Sequence, residues 1–391
     1  MAVESTEHTV PRLQRALVAT APGVLTIKRV SVPRLGPGEV LVRIIAVALN
    51  PSDHKFLDQT TSIGTISGTD FSGVVVQLGP GIERGGGKDD SDYDALQLGD
   101  RVLGPAFGSQ TGNGAFAQYT PVLAKLCIRL PDHLDFAAGA SLPTALYTMG
   151  FVFRSLGIEL PTHLDVDNDA AAAASRFRDE SSDTKEGSNG TGRSRGFVLV
   201  HGGATATGTV ALQLLREAGY TPIATCSPAN FALVRDRGAA AAYDYASPTV
   251  RDDIREWTGG HLSLALDCVG TPASTVLCYG AIGDAGGRYA TLEPYATHLA
   301  VRRREVKPDW ILAWTLFGKE LKLPDAYYRP AIPEDLSYGQ AWAVQVERLL
   351  AAGKLRAHPL DVSTDGLSAV VAGLDLLRKH QVRGKKLAAL I

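Results

Sequence analysis

The chain has 391 residues, of which 45% are hydrophobic and 20% charged, and a formal net charge of −2. That length exceeds what a single hydrophobic core usually serves, so two domains are expected. The charge balance gives no general attraction to nucleic acid or anionic membrane surfaces, and no apolar run is long enough to span a bilayer.

Residues 1–14 are polar and lack the apolar segment of a secretion signal. The four cysteines, Cys127, Cys226, Cys268 and Cys278, form no CxxC pair, which fits reduced thiols in the cytoplasm. Residues 40–49, entered from Glu39, are a β-rich run bounded by Gly36-Pro37-Gly38 and Asn50-Pro51. Shorter β-type runs follow at 73–78, 101–103 and 116–121, separated by glycines and prolines. Short strands with turn signals and few helical stretches predict a compact, barrel-like β unit. Inside it, 85–94 is a polar, glycine-rich loop.

The texture changes after Phe136, where 137–156 reads as one helical stretch. Residues 162–195, an alanine run followed by a charged tract, cannot bury enough apolar surface to offset their ordering entropy. A disordered surface insertion is expected there, with a tethered regulatory segment as the other reading. From Phe197 strands (197–201, 221–226, 240–245, 262–268, 288–292) alternate with helices (207–218, 229–237, 249–257), which predicts a parallel sheet covered on both faces. Two helical patterns, 338–352 and 366–380, precede a terminal strand at 386–391, a tail able to return to the first unit and finish it. The fold class is therefore α/β. One domain is expected over 1–140 with 335–391, and the other over 141–334.

The strand at 197–201 runs into Gly202-Gly203-Ala204-Thr205-Ala206-Thr207-Gly208, and the following helix has Val210, Leu214, Leu215 and Ala218 on one face. Strand, glycine turn and helix place backbone N–H groups where a pyrophosphate can sit. Gly202 and Gly208 fit a GxxGxxG pattern whose middle glycine is Thr205. Its Cβ limits close backbone approach, while the hydroxyls of Thr205 and Thr207 offer compensating donors. The bland alternative is a plain glycine-rich βα turn. The next strand ends Cys226-Ser227-Pro228-Ala229-Asn230, without the carboxylate that usually holds an NAD ribose. Ser227, with Arg235, Arg237 and Tyr245 nearby in sequence, suits a 2′-phosphate and so favours NADPH.

These features, with Asn50–Lys55, Gly68–Gly73, Gly99–Val102, Asn113–Ala117 and Leu142–Ala145, resemble the zinc-free, quinone-reductase-like branch of the medium-chain dehydrogenase/reductase superfamily. Val47–Pro51, Ala224–Pro228, Ala265–Cys268 and Ala281–Gly287 resemble, more finely, the fungal trans-acting enoyl reductases of polyketide synthases. The resemblance implies a GroES-like β-barrel catalytic domain, a Rossmann doubly wound domain and an active site between them. It implies NADPH held by Pro51, Ser52, Asp53 and His54, by Ala204, Thr205, Ala206 and Thr207, and by Ser227, Pro228, Ala229, Asn230 and Tyr245. Leu292, Glu293, Val382 and Arg383 edge the cofactor. Lys55 and Thr144 are the implied catalytic residues. Substrate is implied along Ser141, Leu142, Pro143, Ala145, Leu146, Tyr147 and Thr148, and in an acyl pocket of Leu312, Ala313, Trp314, Thr315 and Leu316.

No metal is expected. Zinc-dependent relatives supply cysteine near 50–53 and a histidine–glutamate pair near Gly68, where this chain has Ser52 and Thr69-Asp70. His54 alone does not make a site and reads as a loop residue. The implied reaction is hydride transfer from NADPH to the β-carbon of an α,β-unsaturated acyl thioester, with charge developing on the carbonyl oxygen. Lys55 can position the cofactor or stabilise that charge, or it is a solvated surface lysine. No histidine or tyrosine stands out as the α-carbon's proton donor. Arg302, Arg303, Arg304 and Lys307 are a basic cluster able to receive the acidic acyl carrier protein of a synthase, or merely a solvated run. An enzyme that visits a carrier can work as a monomer. The rivals are a quinone or enone reductase acting on small diffusible molecules, and a non-catalytic NADPH-binding scaffold.

Overall fold

The computed structural model describes residues 10–59, 62–82, 95–108, 112–161, 194–295 and 297–391. The loop expected at 85–94 lies outside them, as does the insertion expected at 162–195 apart from Ser194 and Arg195.

The first sheet has seven strands centred on Glu39–Ala48, whose run of alternating and fully buried residues packs on both sides. Asp70–Leu78 lies antiparallel to it, followed outward by Arg101–Pro105 and Ile128–Arg129. Two strands share its other edge. Tyr119–Leu123 pairs with its first half and Lys386–Leu390 with its second, Ala389 opposite Val47. The terminal strand thus does return to the first unit, bringing Leu360–Ser363 beside it in parallel. Leu17, Val40, Val42, Val47, Phe71 and Phe116 fill the interior. A hairpin missing from the sequence reading, Leu13–Ala21 with Val24–Ser31, lies over this unit and bridges to it at Ala117 and Ile66.

The second sheet has six strands, all parallel, in the order Ala241–Asp244, Thr221–Cys226, Phe197–His201, Leu264–Asp267, Gly287–Thr291, Val306–Trp310. Numbered along the chain, that is 3-2-1-4-5-6, the doubly wound order. The order reverses between Phe197–His201 and Leu264–Asp267, so their C-terminal ends splay apart and open a crevice. The central strands are buried on both faces, as parallel strands under two helical layers must be.

The predicted single helix at 137–156 is two helices, Phe136–Ala140 and Pro143–Leu156. Pro143 has no N–H with which to continue the first, and it opens the second instead. The second helix is almost entirely buried and joins the two sheets. Trp342, in the helix Pro333–Ala351, donates from its indole to the Leu146 carbonyl at 2.8 Å, and Tyr338 donates to Gly150 at 2.8 Å. Tyr147 donates to the Leu126 carbonyl at 2.6 Å. The sequence reading also missed the helices Pro51–Asp58 and Pro272–Ala281 and the strand Val306–Trp310.

Candidate active site

The crevice where strand order reverses holds an open cleft of ≈ 520 Å³. Ala204, Thr205, Ser227, Asn230, Tyr245, Val382 and Arg383, all singled out from the sequence, line it. Gly202, at φ +75°, makes the turn, and its N–H and that of Gly203 both bond the Thr225 carbonyl at 3.0 Å. A Cβ on Gly208 would stand 2.3 Å from the Gly202 carbonyl, so close approach fixes that glycine. Thr205 caps the helix Ala206–Glu217: its hydroxyl accepts from Gly208 N–H at 3.0 Å and keeps its own proton to give. The first amides of that helix, at Ala206 and Thr207, have no carbonyl before them in the helix to bond.

The other lip is held by Asp267, fully buried, which lies in the matched string Ala265–Cys268 but was given no role in the site. One of its oxygens accepts from Val269 and Gly270 N–H, both at 2.9 Å. The other takes the hydroxyls of Ser274 at 2.6 Å and Tyr289 at 2.8 Å. His201, also unforeseen, lines the cleft with Nδ1 at 2.8 Å from the Thr225 hydroxyl, and burial lowers its pKa.

No carboxylate lines this cleft, and Arg383 is its one permanently charged cation among the described residues. Arg235 and Arg237 do not reach it. Arg235 lies over the Phe231 ring, and Arg237 bonds Asp236 and the Ala357 carbonyl. The cation expected from the neighbouring helix thus comes from the C-terminal segment. Pro228 and Ala229 form a 3-10 turn that presents Asn230, which donates to the Ser227 hydroxyl at 2.9 Å.

Asn50–Lys55 folds as the start of the helix Pro51–Asp58, with Pro51 at its first turn and the Asn50 N–H capped by Asp53 at 2.8 Å. The Asp53 side chain is buried, and burial pushes its pKa up to about 7. The Ser52 hydroxyl is buried without a partner among the described residues, and His54 faces Asp58 at 3.5 Å. Lys55 is half-exposed and ion-paired with Glu293, which also accepts from Tyr327 at 2.5 Å.

Thr144 is the one residue of 141–148 that keeps partial exposure. Its N–H and hydroxyl both donate to one oxygen of Asp70, at 2.9 and 2.6 Å. The other Asp70 oxygen takes the Asn50 amide and the Lys386 ammonium, each at 2.9 Å, and Lys386 also donates to the Ser141 carbonyl at 2.8 Å. Four segments distant in sequence are tied here around one carboxylate. With its proton given to Asp70, the Thr144 hydroxyl presents only lone pairs, an arrangement that can accept from a donor but cannot donate to an oxyanion. Ser141, Leu142, Pro143, Ala145, Leu146, Tyr147 and Thr148, expected along the substrate, are buried, the first two at the junction of the two helices and the rest in the helix Pro143–Leu156.

The expected acyl pocket divides. Leu312 and Thr315 line a second cavity of ≈ 370 Å³ together with Trp310, Ile311 and Arg329. Trp314 stacks on Phe107 at 4.9 Å, with Phe56 edge-on at 6.5 Å, while Leu316 is buried in the main core. The basic cluster divides as well. Arg303 is consumed by Glu305 and by the carbonyls of Tyr279, Ile282 and Gly283, leaving Arg302, Arg304 and Lys307 exposed. Among the described residues, no group of three His, Cys, Asp or Glu is placed to hold a metal ion, and no helix is long and apolar enough to cross a membrane.

Residues 36–132 match the family model of the alcohol dehydrogenase GroES-like domain. The chain is 42% identical to a trans-enoyl reductase, caaB, of Aspergillus niger over 97% of both chains. It is 40% identical to a trans-enoyl reductase, traG, of Penicillium crustosum over 96% of this chain and 97% of that one. Its fold is shared with an alcohol dehydrogenase superfamily protein of Novosphingobium aromaticivorans (TM-score 0.71, 21% identity, 97% and 99% of the two chains). It is shared too with the CurK enoyl reductase (TM-score 0.69, 14% identity, 97% and 99%). A crevice built for a nicotinamide cofactor, a GroES-like unit and full-length likeness lead to one conclusion: the chain belongs to the trans-enoyl reductases of the medium-chain dehydrogenase/reductase superfamily.

Proposed function

We propose that the protein is a cytoplasmic, NADPH-dependent enoyl reductase that saturates an α,β-unsaturated acyl thioester carried on the acyl carrier protein of a polyketide synthase. The observation that carries the cofactor choice is a cleft with Arg383, Ser227, Asn230 and Tyr245 around it and no carboxylate to repel a 2′-phosphate. Residues 141–334 serve as the cofactor-binding domain, with Ala204–Thr207 on the pyrophosphate, and residues 1–140 with 335–391 as the catalytic one.

Bound NADPH supplies the hydride. Thr144, fixed by Asp70, accepts from the cofactor's ribose and sets its depth. The two Lys55 protons not engaged by Glu293 face the carbonyl oxygen that gains charge as the β-carbon accepts hydride. Phe56, Phe107 and Trp314 form an aromatic wall that excludes water from the acyl chain. Arg302, Arg304 and Lys307 offer an exposed basic surface to an acidic carrier.

Following NADPH oxidation with a pantetheine-linked enoyl thioester tests the reading. Turnover with NADPH is expected to exceed turnover with NADH. The Arg383→Ala variant is expected to weaken NADPH binding roughly tenfold to a hundredfold while leaving NADH nearly unchanged. Preference for a simple quinone would turn the assignment toward small diffusible substrates. Tight NADPH binding without any turnover would turn it toward a scaffold.

A further inference from the structure

Three elements meet at Glu293, and one of them entered through no motif. Glu293 follows the strand Gly287–Thr291, Lys55 belongs to the helix Pro51–Asp58, and Tyr327 ends the 3-10 turn Asp325–Tyr327. One Glu293 oxygen takes the Lys55 ammonium, and the other accepts from the Tyr327 hydroxyl at 2.5 Å. The terminal torsion of a glutamate is soft, so a bond at one oxygen decides where the second points. Lys55 has an unbranched side chain that is 48% exposed, and left alone it would sample many rotamers.

Tyr327 is itself held firmly. Its ring stands edge-on to Phe56 at 6.2 Å and to Trp310 at 5.4 Å. The turn that carries it begins at Asp325, a non-glycine residue at φ +51°, a conformation kept only where its surroundings impose it. Burial, with the Glu293 carboxylate beside it, pushes the Tyr327 pKa up, so the phenol remains a donor across the physiological range.

We propose that Tyr327 is a positioning residue for hydride transfer, holding Glu293 so that its second oxygen sets the Lys55 ammonium against the substrate carbonyl. This rests on Lys55 serving that carbonyl, as proposed above. Tyr327→Phe keeps both ring contacts and removes only the hydroxyl. Single-turnover hydride transfer is expected to slow roughly tenfold in that variant, with NADPH affinity and melting temperature near those of the parent. In a Lys55→Met background the same change is expected to cost nothing further, because the group it positions is gone. Equal losses in both backgrounds, or a change in KM alone, would overturn the proposal. If Lys55→Met itself turns over normally, the reading of Lys55 fails and this inference with it. If Lys55→Met is crippled while Tyr327→Phe is not, only the inference falls.

Discussion

Asp70 is fully buried, and Asn50, Thr144 and Lys386 all converge on its carboxylate. Lys55, Thr144, Ser227 and Arg383 sit in strings that a family resemblance can match; Ser227 and Arg383 line the cleft, while Lys55 pairs with Glu293 and Thr144 with Asp70. Asp70 lies in the matched string Gly68–Gly73, yet nothing in a sequence says that Lys386, 316 positions away, will neutralise it. A fully buried carboxylate demands a countercharge and several donors, and here it finds both, which fixes Thr144 as a consequence. Asp53 is the contrasting case. Its carboxylate is buried beside Asp70, and burial raises its pKa from 3.8 to about 7. Between those values the folded protein holds a proton that the unfolded chain has released, so stability falls as pH rises through that window. Asp53→Asn can still accept from the Asn50 N–H but carries no such linkage. Chemical denaturation is therefore expected to show the variant gaining on the parent from pH ~4 to pH ~8, by on the order of 4 kcal/mol. A stability difference that stays flat with pH would refute the assignment.

At the scale of elements, strands were legible where the run was apolar and bounded, and helices where they alternated with such strands. Thr221–Cys226 and Phe197–His201 fall where the residues place them. The helix Pro51–Asp58 was missed because its Asn-Pro start reads equally as a turn, and only the Asp53 cap identifies it as helical. The hairpin Leu13–Ala21 and Val24–Ser31 was missed because the second strand is largely exposed, with only Leu25 and Ile27 turned against the core. The connecting helix Pro143–Leu156 was legible as helix, though not that nearly every face of it is buried. What the sequence conceals is that Gly150 lies directly under Trp342. A Cβ there would stand 2.9 Å from the indole, closer than real contacts allow. Trp342 is also held by its bond to the Leu146 carbonyl and cannot easily withdraw. Gly150→Ala, although it raises helix propensity, is therefore expected to destabilise the protein by about 1–3 kcal/mol. Thermal unfolding measures this, and a variant melting above the parent would show that the two helices pack less tightly than described.

At the scale of the molecule, the chain returns its C-terminal strand to the first sheet and leaves the second open at an edge. Val306–Trp310 pairs with Gly287–Thr291 on one side, and among the described residues no strand lies on the other. An unpaired edge of a parallel sheet is a template for a second copy, which would add a strand there and extend the sheet through the dimer. The sequence of this edge, Val-Lys-Pro-Asp-Trp, opposes that. Pro308 has no N–H to offer a partner strand, and Lys307 and Asp309 are exposed on either side of it. In an antiparallel two-fold pairing about Pro308, Lys307 would approach the partner's Asp309, an exposed ion pair worth too little to replace the missing ladder bond. The protein is therefore expected to run with the mass of one chain in size-exclusion chromatography with light scattering, at low and at high salt. Pro308→Val is expected to shift it toward the mass of two chains as concentration rises. A parent protein already dimeric through this strand would show that the edge does not guard itself.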